Sequence, residues 1–292
     1  MNRSEARATS DQQQSTGALG PTQLILLGMV SRQSGAAVAE PLFQRYGTFG
    51  VANMRLLFSA VFLLLIVRPS LRMEWRSYMA ITSYGLCFAG MNLCFYQALT
   101  RIPLGITVTI EFLGPLAVTL ATSRRLADAG WALLAAAGVT LLGWGGTADS
   151  AVGVLFAGIA GASWAGYILL GKRFRNDAVG QNGLALGITV GALISMPFRL
   201  WEGQLDLLDS YTILMGIAVA GLSSVIPYSL EFISLKNIPA NIFGILMSIE
   251  PGIAAAIGLV FLGQPIDLPA GIAICCVIVA SIGATRARSR GS

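Results

Sequence analysis

Three glutamates and two arginines stand inside long apolar stretches of this chain: Glu111, Glu231 and Glu250, with Arg32 and Arg55. An ionised side chain at the centre of a bilayer costs about 2.5 to 3.5 kcal/mol on insertion scales. Each of the five must therefore be paired, protonated or wet. Pairing would make them packing devices, with Arg32 and Arg55 neutralising two of the glutamates. A carboxylate facing a polar cavity would instead bind a ligand ammonium or carry a coupling proton. Glu231 and Glu111 are the better candidates for that role, because Glu250 directly precedes Pro251 and can bond locally.

Other side chains fall on the same faces. Thr107, Glu111 and Gly114 are spaced i, i+4, i+7 and share one helix face. A constant offset of 136 residues carries them onto Phe243, Met247 and Glu250, and carries Pro103 onto Pro239 and Pro115 onto Pro251. Tyr228 and Glu231 share a face with Ser224, and Asn92 shares one with Tyr96. Arg32, Gln33 and Ser34 interrupt an apolar run with three consecutive polar residues, as a cavity-lining break or a packing feature. Trp164, Tyr167, Tyr96 and Tyr228 lie within apolar runs instead of at their ends, where they can wall a cavity or fill a core. The candidate binding set is therefore Arg32, Gln33, Ser34, Asn92, Tyr96, Thr107, Glu111, Trp164, Tyr167, Tyr228, Glu231, Phe243 and Met247. Pro115, Pro227 and Pro251 are candidate hinges, since proline frees a carbonyl and bends a helix.

The elements that hold these residues follow from composition. Hydrophobic residues make up 55% of the 292 and charged residues only 11%, with a mean hydropathy of +0.71. That is well outside the soluble range of about a quarter charged, and it describes a polytopic membrane protein. The 34 glycines suit helices that approach closely in a bilayer. A pI near 9.3 needs no nucleic acid, because basic residues gather in cytoplasmic loops.

Ten apolar segments can be marked: Leu24–Ala39, Val51–Val67, Tyr78–Leu99, Leu104–Ala121, Ala129–Trp144, Val152–Gly171, Gly183–Phe198, Tyr211–Leu235, Ala240–Leu262 and Leu268–Thr285. With a cytoplasmic N-terminus and ten crossings, only Arg45, Arg101 and Arg199 fall outside, and Arg32 and Arg55 are intramembrane. Every other Lys and Arg lies inside, which places both termini in the cytoplasm. Five segments per half is odd, so two homologous halves must be inverted. The expected fold is an all-α integral membrane protein, ten transmembrane helices in two inverted five-helix repeats around a central cavity. Secondary transporters commonly use this plan and alternate access by rocking.

Enzyme classes lose support. The chain has no histidine, which removes Ser-His and Cys-His pairs, zinc motifs and histidine relays. Cys87, Cys94, Cys275 and Cys276 sit in apolar runs without metal-ligand spacing and read as packing. GYILLGKR from Gly166 lacks the final Ser or Thr of a phosphate loop, and Gly161-Ala162-Ser163 lacks the second glycine of a nucleophile elbow. Neither an enzyme, a metal nor a cofactor is expected.

Several runs carry a family resemblance: GMNLCFY from Gly90, IPLGITVTIEFLGPLAV from Ile102, SRR at Ser123, PYSLE from Pro227 and FGILMSIEP from Phe243. From about Leu24 to Thr285 the chain resembles the drug/metabolite transporter superfamily with EamA-type halves, and within it the bacterial threonine/homoserine exporter branch. The resemblance implies a multi-pass inner-membrane exporter of small neutral amino acids (threonine, homoserine and also methionine), driven by the proton motive force. Aromatic amino-acid exporters share the architecture, so aromatic amino acids or cationic drugs are the alternative cargo. The implied division is a disordered cytoplasmic tail (1–20), a first repeat (21–147), a second repeat (148–286) and a basic cytoplasmic tail (287–292). The partners implied are the amino-acid substrate and membrane lipids, with no nucleic acid and with monomer and homodimer both open.

Overall fold

The computed structural model describes residues 19–121, 126–144, 150–174, 180–203, 209–235 and 237–289. The expected tails fall largely on residues 1–18 and 290–292, and the basic connections at 122–125, 175–179 and 236 also lie outside the described residues. Within those bounds every regular element is helical and there is no strand. Apolar runs in lipid must satisfy their backbone internally, which leaves helices as the solution here.

The elements are α1 (Pro21–Ala39), α2 (Thr48–Val67), α3 (Trp75–Leu99), α4 (Leu104–Glu111), α5 (Leu113–Ala121), α6 (Leu126–Trp144), α7 (Ala151–Phe174), α8 (Gly180–Trp201), α9 (Ser210–Ala220), α10 (Ile226–Leu235), α11 (Ala240–Met247), α12 (Glu250–Leu262) and α13 (Leu268–Ser289). Short helical turns join α1 to α2, and a π-helical turn, Gly221–Val225, joins α9 to α10. All ten apolar segments are helical, but by length and composition the described residues supply eight candidate membrane spans. Two segments fall outside that set: α1, which carries the Arg32-Gln33-Ser34 interruption, and α6, whose apolar part is only Ala129–Leu142.

Two of the eight spans are broken, and at matching places. Proline has no N–H, so Pro115 leaves the Glu111 carbonyl without its helical donor, and Pro251 does the same to Met247. The helix gives way at Phe112 between α4 and α5, and at Ser248–Ile249 between α11 and α12. Phe112 and Ser248 are again related by the 136-residue offset. Pro103 and Pro239 stand at the N-cap positions of α4 and α11, where a missing donor is harmless.

These broken helices meet at one end. There α4 packs on α12 at Gly105 and Ala255, with Leu104, Leu99, Tyr46, Leu42 and Ile257 buried nearby. The Leu104 N–H, an orphan of the first helical turn, donates to Gln264 Oε1 at 2.8 Å. At the opposite end α5 and α11 stand on the walls of a cavity.

The α4/α5 break rests directly on α7. A Cβ at Gly114 would collide with the Gly161 carbonyl oxygen, and one at Gly161 would come within 2.7 Å of the Glu111 carbonyl oxygen. Backbone cannot swing aside as a side chain can. Gly114→Ala is therefore expected to lower stability by about 1 to 3 kcal/mol, read as a lower melting temperature of the purified protein. Gly158→Ala, on the same helix as Gly161 and with open space at its Cβ, should leave it unchanged. Equal melting temperatures for the two variants would show that the break is not seated on α7.

Candidate binding cavity

A cavity of about 300 Å³ lies between the broken helices, a volume at the lower end of small-molecule sites. Its walls come from α1, α2, α3, α4, α5, α7, α10, α11, α12 and α13. One pole is charged. The Arg32 guanidinium, on α1, reaches Glu231 of α10 through Nη2 and Glu250 of α12 through Nη1, the latter at 3.1 Å. Gln33 Nε2 donates to the same Glu250 carboxylate at 3.0 Å, and the Tyr228 ring lies 5.7 Å from the Arg32 guanidinium carbon. Arg32 is thus committed to two carboxylates.

Arg55, on α2, is held differently. Its Nη2 donates to the Ser223 carbonyl at 3.1 Å and its Nε to Ser224 Oγ at 3.5 Å. Ser223 lies in the π-helical turn, four residues before Pro227. The proline has no N–H to offer that carbonyl, so the acceptor is left for the arginine. Arg55 is buried, lines the cavity and forms no ion pair among the described residues. Glu111 is its opposite: only 7% exposed at the end of α4, lining the cavity and likewise without an ion pair among those residues.

The remaining walls are apolar and aromatic. Trp164 stands edge-on to Phe112 at the α4/α5 break, with centroids 5.6 Å apart. Tyr167 packs against Tyr84 and Phe88 at 4.7 and 5.5 Å. Met91, Phe95, Val108, Phe112 and Met247 complete this side.

Of the thirteen candidate side chains, ten line this cavity: Arg32, Gln33, Asn92, Glu111, Trp164, Tyr167, Tyr228, Glu231, Phe243 and Met247. Pro115 does so too. Three candidates stand elsewhere. Thr107 turns its hydroxyl back onto its own helix start, donating to Pro103 O at 3.0 Å. Tyr96 is fully buried between Phe43 and Phe95, with Arg55 above its ring. Ser34 is partly buried off the lining. A one-turn offset along a helix, or a small rotation of it, is enough to take a residue off the cavity face.

The charge pattern combines the two alternatives: Arg32 takes both Glu231 and Glu250 while Arg55 is in no ion pair among the described residues, and Glu250 bonds across to α1 instead of locally. Arg55 and Glu250 belong among the cavity residues, although sequence reasoning left them out of the binding set. For Arg55 the available signal was Pro227, whose freed carbonyl four residues earlier requires a donor. Chemically, a cavity with one cation and one carboxylate outside any ion pair among the described residues can accept a molecule bearing both charges.

The chain is similar to known transporters along nearly its whole length. A model of the EamA-like transporter family matches residues 151–286. The threonine/homoserine exporter RhtA of Salmonella typhimurium (strain LT2) is 40% identical over 270 residues, 91% of each chain. The Escherichia coli K12 protein of the same name is 38% identical over 269 residues, again 91% of each. A solved crystal structure at 18% identity shares the fold, with a TM-score of 0.61 over 92% of this chain and 97% of that one. Matched along nearly its whole length, this multi-pass helical chain belongs to the EamA-like transporter family of the drug/metabolite transporter superfamily.

Proposed function

We propose that the protein is a secondary exporter of small neutral amino acids, threonine and homoserine first and methionine also, driven by the proton motive force across a bacterial inner membrane. The observation that carries this is the placement of Arg55 and Glu111 around one cavity, neither of them in an ion pair among the described residues. In a zwitterion the α-carboxylate suits Arg55 and the ammonium suits Glu111. The names and similarity of the exporters quoted above support the same cargo.

In this reading all ten segments cross, as two inverted halves with both termini cytoplasmic, and the open end of the cavity faces the cytoplasm. The matched breaks before Pro115 and Pro251 let α4/α5 and α11/α12 flex as the halves rock, with Pro227 and the π-helical turn as a third hinge. A cavity open at one end and sealed at the other by the α4–α12 contact is what alternating access requires of one of its two states.

The test is counterflow in proteoliposomes. Vesicles loaded with unlabelled threonine should accumulate labelled threonine transiently and saturably, and homoserine should compete. Flux confined to phenylalanine or a quaternary amine would assign the cargo elsewhere, and no amino-acid flux would sink the reading. Arg55→Lys keeps the charge but not the fork that holds Ser223 and a carboxylate together. It is expected to raise the threonine concentration for half-maximal flux by about tenfold or more, from the loss of about 1.5 to 3 kcal/mol in charge-assisted hydrogen bonds. An unchanged value would place Arg55 in packing alone.

A further inference from the structure

Two buried amides on the cavity wall have an acceptor left over. Asn92, in the middle of α3 and 1% exposed, donates through Nδ2 to the Phe88 carbonyl at 2.8 Å. Only the NH2 end of an amide can make that bond, so the orientation is settled by chemistry and Oδ1 points elsewhere. That oxygen has no hydrogen-bond partner among the described residues. Gln33 is oriented in the same way by its bond to Glu250, and its Oε1 is also unpartnered. Buried acceptors are rarely left so, and each one calls for a donor.

The two acceptors differ in their surroundings. Gln33 belongs to the charged pole with Arg32 and Glu250. Asn92 instead interrupts an apolar wall, sharing its helix face with Met91 and Phe95 and facing the cavity that Val108 and Phe112 also line. A single acceptor in an apolar wall is suited to a side chain that is mostly hydrocarbon and carries one donor.

Resting on the transport reading above, we infer that Asn92 Oδ1 accepts the side-chain hydroxyl of the transported amino acid and so determines its preference for hydroxylated over purely apolar side chains. An apolar pocket alone discriminates poorly between near-isosteres such as threonine and valine. A site with an acceptor that goes unpaired when the hydroxyl is missing rejects the apolar analogue. The Nδ2 group is held by the Phe88 carbonyl, so the discrimination rests on Oδ1.

The experiment is competition against labelled threonine in the counterflow assay, with unlabelled threonine and valine as competitors. For the wild-type protein threonine should compete at least about tenfold better than valine, the equivalent of one ordinary hydrogen bond left unmade. Asn92→Leu should bring the two within about twofold of each other, chiefly by weakening threonine. Asn92→Thr should retain most of the preference, because its hydroxyl can donate to Phe88 and still accept. Melting temperatures of both variants separate misfolding from altered selectivity. A wild-type protein that transports threonine and valine equally, or an Asn92→Leu protein that weakens both alike, overturns this inference and leaves the transport reading standing. Absence of any amino-acid flux in the wild-type protein overturns both.

Discussion

Glu111→Gln protein is expected to fold and to reach the membrane, yet to lose threonine transport and its response to a pH gradient. The cavity cluster holds two arginines and three carboxylates, so with all five ionised it carries one excess negative charge. A net charge inside a membrane is costly, and one proton relieves it. Arg32 holds Glu231 and Glu250, which leaves Glu111 as the carboxylate best placed to exchange that proton for a substrate ammonium. Competition of proton and ammonium for one carboxylate is the simplest form of obligatory antiport. Glutamine imitates the protonated state permanently and offers no charge to the ammonium. Loss of one partner from a buried charge pair costs about 2 to 5 kcal/mol, so apparent affinity should fall at least about thirtyfold. The measurements are threonine counterflow and threonine uptake under an imposed pH gradient. Glu250→Gln is the comparison, since an amide there can still bond Gln33 and Arg32. Should Glu111→Gln transport normally while Glu250→Gln loses pH coupling, the exchanging carboxylate lies in the Arg32 cluster instead.

The second large effect concerns Arg32. Removing it leaves the partly buried Glu231 and the buried Glu250 without their shared cation. Breaking a buried ion pair by deleting one side typically costs about 3 to 5 kcal/mol, because the remaining charge is stranded. Arg32→Met is expected to lower the melting temperature sharply or to prevent recovery of folded protein. Replacing all three groups should undo most of the damage, since Arg32→Met with Glu231→Gln and Glu250→Gln strands no charge. Thermal unfolding of the single and triple variants measures this. If the triple variant melts as low as the single one, the cluster stabilises through shape and hydrogen bonding, not through charge balance. Transport by the triple variant then asks a separate question: whether the charged pole has any part in coupling.

Much of the fold was legible because each signal is local. The ten apolar runs became ten helical segments, broken ones included, since a run in lipid has little alternative. The breaks at Phe112 and Ser248–Ile249 follow from Pro115 and Pro251, which act on the carbonyl four residues back in their own helix. The face shared by Phe243, Met247 and Glu250 survives because their spacing spans a single break without losing register. Less visible were features spread over two elements. The π-helical turn before Pro227 has no periodic signature, yet it presents the Ser223 carbonyl that holds Arg55. Thr107 shares a face with Glu111 in sequence, but its hydroxyl satisfies the helix start and not the cavity.

From the sequence alone came the class of molecule, the helical segments, the matched prolines and the presence of charges that had to be compensated. It also picked out ten of the side chains that line the cavity. Only the tertiary structure decided how the charges are shared. Arg32 and Glu250 are 218 residues apart, and Arg55 and Ser223 are 168 apart. Which arginine meets which glutamate depends on the rotation of each helix and the depth at which broken helices cross. A residue's spacing reports its direction from its own helix axis and nothing about the neighbour it meets. That distinction separates Arg32, held by two carboxylates, from Arg55 and Glu111, which line the cavity outside any ion pair among the described residues.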